Sequence, residues 1–155
     1  QCLFGEHLLS QYPSKPIAIV ESEKSALIAS HFMSDFIWLA TGGIHGCFKE
    51  ESIQVLKNRS VMLCPDLGAF EAWKAKIPML SAVCSKVIIS EHLELVATEE
   101  QRKKGLDIAD FLLMTETPVM ALQRMIKRNP CIGTLIERLQ LELVGFYNAE
   151  SKPMQ

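Results

Sequence analysis

The sequence predicts an α/β fold: a mostly parallel sheet of four strands flanked by helices, with a helical extension at its C-terminus. Pro16-Ile17-Ala18-Ile19-Val20 is an apolar run that stops at Glu21 and passes straight into a helix-type pattern. Ser60-Val61-Met62-Leu63-Cys64-Pro65-Asp66 does the same ahead of Leu67-Gly68-Ala69-Phe70-Glu71. Buried parallel strands read as continuous apolar runs rather than alternating ones. The strand–helix order recurs along the chain, which implies parallel strands joined by right-handed crossovers.

Each element has its own signal. Residues 1–15 form a lead-in helix and loop. Strand one covers about 17–21, and Ser22 is placed to cap a helix over 23–33 whose apolar stripe is Ala26, Leu27, Ala29, Phe32 and Met33. Strand two is 36–40 and ends in Thr41-Gly42-Gly43. A short helix near 51–56 leads to strand three at 61–64. The helix from Ala69 to about Lys76 is ended or kinked by Pro78. Strand four is 86–90.

Beyond it lie helices over 92–96 and 98–104, the second opening on a capping box, Thr98-Glu99-Glu100-Gln101, and stopped by Gly105. The α/β domain is thus expected over 16–115, with helices over 116–147 packed on it and a frayed polar tail over 148–155. Within that extension, 119–126 and 132–144 carry helical spacing.

Composition narrows the possibilities. A chain of 155 residues can bury one proper core and barely two. Its net charge of −2 offers no strong global attraction to nucleic acid or to an anionic membrane. Lys103-Lys104 and Lys127-Arg128 are short and read as solvated helix faces. The five cysteines are scattered, odd in number and without a C-x-x-C pair, so neither a disulfide framework nor a zinc ribbon is indicated, and the usage suits a reducing cytoplasm. No run reaches the ~18 apolar residues of a membrane span, and no signal peptide opens the chain. Because the first residue is Gln1 rather than Met, we expect neighbouring domains upstream.

Ligands of open α/β sheets sit in the crevice beyond the carboxyl ends of the strands, so Glu21 and Asp66 are expected to converge there. Two carboxylates in such a crevice suggest a divalent cation. Carboxylate, carbonyl and water ligands suit magnesium or manganese, and the absence of a His/Cys cluster argues against zinc. Asp107 and Asp110 share one helical face. Capping of a helix that begins at Ile108 accounts for Asp107 as well as metal binding does. Asp66 has a rival role as a turn residue after Pro65. Glu21 closes a buried strand, where Glu is neither a favoured cap nor a β-former.

Val20-Glu21-Ser22-Glu23-Lys24-Ser25-Ala26 resembles the glutamate motif of Toprim domains, the catalytic module of bacterial primases and topoisomerases. Leu63-Cys64-Pro65-Asp66-Leu67-Gly68-Ala69 is similar to that family's Asp-x-Asp motif at the end of strand three. Gly105-Leu106-Asp107-Ile108-Ala109-Asp110-Phe111-Leu112 resembles the Gly-x-Asp-x-x-Asp-Leu-Leu stretch of primase-type members. Ala40-Thr41-Gly42-Gly43 stands where the family has a small-residue turn after strand two. The likeness covers about residues 16–113. More narrowly, it is similar to Toprim-like proteins of Bacteroidetes mobile elements, where such a domain follows a zinc-binding, primase-like region.

The resemblance implies a Rossmann-like Toprim fold and magnesium-dependent nucleotidyl or phosphoryl transfer in DNA replication or mobilisation. Glu21 would be the general acid/base, Asp66 the metal ligand, and Asp107 and Asp110 outer ligands, direct or through water. DNA or RNA would be reached through neighbouring domains.

Two departures stand out. Gly68 replaces the second aspartate of Asp-x-Asp, and Ser25 replaces an acidic residue four positions after the glutamate. Losing two carboxylates is expected to weaken metal binding. Glu71, one helical turn beyond Gly68, could compensate or be a solvated helix residue. A degenerate, non-catalytic Toprim module for binding nucleic acid or protein is therefore the alternative. A receiver-type phosphoacceptor domain also places an aspartate after strand three, but the lysine it needs after a fifth strand is absent.

Gly42 and Gly43 lie in a loop whose backbone N–H groups could cradle a phosphate, or whose glycines answer a need for positive φ. Lys24 could contact a nucleotide phosphate or be a first-turn surface lysine. His45 reads as a solvated loop histidine. Trp38 and Trp73 read as packing residues. Tyr12 and Tyr147 have no context for a transesterifying tyrosine. Cys64 beside Asp66 is expected to be inert, because its apolar setting raises the thiol pKa.

Overall fold

The computed structural model describes residues 2–43, 46, 48–115 and 118–142. The chain divides into two compact units, Gln1–Leu113 and Met114–Gln155.

In chain order the first unit carries α1 (Leu8–Gln11), β1 (Ile17–Val20), α2 (Glu23–Phe32), β2 (Ile37–Ala40), a 3-10 turn (Ser52–Leu56), β3 (Ser60–Leu63), α3 (Phe70–Lys74), α4 (Ile77–Ser81), β4 (Lys86–Ile89), α5 (His92–Val96) and α6 (Glu99–Lys104). A last helix, α7 (Ile108–Thr115), runs across the boundary between the units. The four strands form one all-parallel sheet in the order β2-β1-β3-β4. The connection from β2 to β3 must pass β1, so the strand order reverses between β1 and β3. That reversal opens the ligand crevice of this sheet class.

Side chains alternate across each strand, and both faces are covered. Ile17, Ile19, Ile37, Leu39, Val61 and Leu63 point to one face, under Ile53, Leu56, Trp73 and Leu80 from the 3-10 turn, α3 and α4. Ala18, Val20, Trp38, Ala40 and Cys64 point to the other, where Ala26 and Ala29 of α2 pack, with Ile108 and Leu112 of α7 against them. Alanines on both sides of that contact let α2 lie close on the sheet. Both tryptophans are core residues, as expected. Trp38 Nε1 donates to the Met33 carbonyl (2.9 Å), and Trp73 meets Phe48 edge to face with ring centroids 4.9 Å apart.

The lead-in is tied down twice. Phe4 forms an antiparallel bridge with Ala40, covering the β2 edge. The Arg59 guanidinium, beside β3, donates to the carbonyls of Leu9 (3.3 Å), Tyr12 (2.9 Å) and Lys15 (2.9 Å).

Capping follows the sequence expectation. Ser22 Oγ accepts from the Ser25 N–H (3.1 Å). Both bonds of the Thr98–Gln101 capping box form, and α6 ends at Gly105. Pro78 differs from the expectation of a single stopped helix. It lies in the first turn of a new helix, α4, where a missing N–H costs nothing.

The second unit carries α8 (Pro118–Arg128) and α9 (Pro130–Leu139), which pack on each other across a turn capped by Asn129. A Cβ on Gly133 would lie 3.2 Å from Ile126 Cγ2, so glycine there allows the close approach of the two helices. The helix expected from residue 132 begins two residues earlier, because Pro130 suits a helix start. Among the described residues, no helix is long and apolar enough to cross a membrane.

Candidate metal centre

Glu21 follows the last residue of β1, and Asp66 stands three residues beyond the end of β3, flanking the crevice. A backbone bond brings the third acidic position to them: the Leu67 N–H donates to the Leu106 carbonyl (3.1 Å). This sets Asp107 beside the Asp66 loop.

Asp107 and Asp110 are then fully engaged. Asp107 Oδ1 accepts from the Asp110 N–H (2.9 Å), and Asp110 Oδ2 accepts from the Asp107 N–H (3.0 Å). This is a capping box with aspartate at both ends, and it starts α7. Asp107 Oδ2 receives the Ser25 hydroxyl at 2.6 Å and lies 3.1 Å from Lys24 Nζ. Lys24 Nζ is 3.6 Å from Asp110 Oδ1. Ser25 has one hydroxyl proton and gives it to Asp107, so the 2.6 Å contact between Ser22 Oγ and Ser25 Oγ must be donated by Ser22. A short relay, Ser22 to Ser25 to Asp107, thus links the start of α2 to the start of α7.

The charges follow from these contacts. Burial alone would raise the Asp107 carboxyl, but hydrogen bonds from Ser25, the Asp110 N–H and Lys24 outweigh it and hold its pKa below the ordinary value. Lys24 is pushed up, chiefly by its hydrogen bond to Asp107. Asp66 goes the other way. Burial, then the charges of Glu21 and Asp107, push its carboxyl up to about 7, with Lys24 opposing. Asp66 Oδ1 is buried and has no hydrogen-bond partner among the described residues. Burial likewise pushes the Cys64 thiol up to about 12, so it is inert at neutral pH, as expected.

The other expected positions divide. The Gly42 and Gly43 N–H groups donate to the Glu21 carbonyl (2.9 and 3.1 Å), so they hold the turn and are not presented to a phosphate. Lys24 faces Asp107 and Asp110, where a phosphate contact was expected. The Glu71 side chain is 83% exposed beside Lys74, which suits a solvated residue. It lines an open hollow of about 390 Å3 with Gly68, Phe70, Glu91, Glu94 and Leu95. Gly68 has φ +92° with open space where a Cβ would stand. His45 and Tyr147 lie outside the described residues.

Sequence reasoning noted Ser25 only as a missing carboxylate and missed its bond to Asp107. The available signal was a hydroxyl at the third position of a helix whose first turn faces the sheet's ligand edge. Among the described residues, no three His, Cys, Asp or Glu side chains are grouped so that they could hold a metal ion by themselves.

A domain family of unknown function, DUF6371, matches residues 1–67. That stretch includes Glu21, Lys24, Ser25 and Asp66 and stops short of Asp107. No curated protein and no solved structure matches the chain.

Proposed function

We propose that the chain is a Toprim-like module whose crevice at Glu21 and Asp66 takes magnesium or manganese for nucleotidyl or phosphoryl transfer on nucleic acid. The observation that carries this reading is Asp66, a half-buried carboxylate at the strand-order reversal with one buried oxygen lacking a partner among the described residues. A hard oxygen donor of that kind fits magnesium, which keeps several waters and needs only one or two carboxylates beside substrate phosphates. A cage of three protein ligands is therefore not required. Asp66 would hold the ion, with Glu21 beside it.

Bound there, the ion would neutralise charge on a phosphoryl group and polarise its oxygen. Glu21 would accept or return a proton in this reading. With its carboxyl pushed up to about 7, Asp66 would give up a proton on taking the cation. Lys24, Ser25, Asp107 and Asp110 keep the wall of the crevice in place.

The wider setting follows the same reading. The module would act in a primase-related replication or mobilisation protein of a mobile element. It would reach DNA or RNA through neighbouring domains, including an upstream zinc-binding region. Free thiols at Cys64, Cys84 and Cys131 suit a cytoplasmic setting.

A second reading, a non-catalytic binding module, is favoured by Gly68 and by the full engagement of Asp107 and Asp110. Calorimetric titration of magnesium and manganese into the parent and Asp66→Asn separates the two. Saturable binding that disappears in the variant supports the metal centre. No binding up to millimolar metal leaves the non-catalytic module.

A further inference from the structure

The acidic cluster already contains a cation. All four oxygens of Asp107 and Asp110 have a hydrogen-bond donor or an ammonium beside them, and Lys24 Nζ faces one oxygen of each. Lys24 is the second residue of α2, where the helix dipole disfavours a positive charge. A lysine there is out of place for the helix and in place for the two aspartates. The groups facing it are Asp107 and Asp110 from the start of α7, with Asp66 and Glu21 across the crevice.

We propose that Lys24 is the resident cation of the Asp107–Asp110 pair, filling the place a divalent ion would otherwise take and closing that half of the cluster to metal. This rests on the reading of the crevice as a metal centre, to which it adds the number of ions. The chain takes one divalent cation, beside Asp66, and the outer ligands implied for Asp107 and Asp110 serve Lys24 instead.

The test counts manganese bound to the whole chain, by calorimetry and by the electron paramagnetic resonance of free Mn2+. The variants are Lys24→Gln, Lys24→Arg and Lys24→Gln combined with Asp110→Asn. Removing a unit charge this close to two carboxylates should tighten manganese at that pair by at least about tenfold. The expected result is one more ion in Lys24→Gln than in the parent, lost again on adding Asp110→Asn, with Lys24→Arg matching the parent.

An unchanged count and affinity in Lys24→Gln overturns the proposal, as does an added ion that survives Asp110→Asn. Should Lys24→Gln unfold, refolding by manganese and not by sodium at equal ionic strength supports it, and failure of manganese to refold it overturns it. A parent that binds no ion while Lys24→Gln binds one sensitive to Asp110→Asn would refute the Asp66 metal centre and leave the role of Lys24 standing.

Discussion

Asp66 and Asp107 are two aspartates at the mouth of the same sheet with opposite circumstances. Asp107 is buried, yet its carboxylate is kept charged by a hydroxyl, a backbone N–H and an ammonium. Asp66 is half-buried, has an oxygen without a partner among the described residues, and is pushed towards its protonated form, chiefly by burial. Both carboxylates feel burial, and donors offset it at Asp107 alone. The half with donors is scaffolding for α2 and α7, and the half around Asp66 is where the proposed cation would sit.

The comparison breaks first at Asp107. Asp107→Ala removes a helix cap and the charged acceptor of the buried Ser25 hydroxyl, while its ion pair is discounted because Lys24 is 58% exposed. A loss of about 3 kcal/mol is expected, read by urea unfolding. If Asp107→Ala is as well tolerated as Asp66→Ala, the two halves are not different in kind.

Acidity sharpens the comparison next. For Asp66 the folded-state pKa lies above the unfolded one. Its stabilising contribution is complete below roughly pH 4 and is lost as pH rises to about 7. For Asp107 the folded pKa lies below the unfolded one, so its contribution is present above roughly pH 4 and is lost as pH falls further. In metal-free buffer, Asp66→Asn should be more stable than the parent at pH 8, by roughly 1–2 kcal/mol after allowing for solvent. At pH 4 the two should melt together. Parallel melting curves at both pH values would remove the assigned difference.

The smallest effect is expected at Gly68. Gly68→Asp puts a carboxylate where space is open but φ is +92°, at a cost of about 1 kcal/mol. Manganese affinity should rise relative to the parent. A drop in affinity would place residue 68 away from the crevice.

The sheet was legible because each strand is a continuous apolar run ended by a polar or small residue. Glu21 and Asp66 were legible because strand ends in this fold class converge. The locked half was not. The Leu67–Leu106 backbone bond joins loops almost 40 positions apart and leaves no mark in side-chain pattern. Ser25 looked like an absence of charge because a hydroxyl gains meaning only from the partner it meets. Lys24 looked available because nothing local shows that α7 returns to α2. The glycine turn was half legible: both glycines do have positive φ, one of the two readings the sequence left open. Only the folded backbone reveals that their N–H groups go to the Glu21 carbonyl.

Arg59 carries a consequence for synthesis. It grips carbonyls at positions 9, 12 and 15, which leave the ribosome well before residue 59 does. Residues 9–15 therefore emerge before their clasp and cannot be secured until β3 has followed them out, so that stretch waits exposed while Arg59 is still being made.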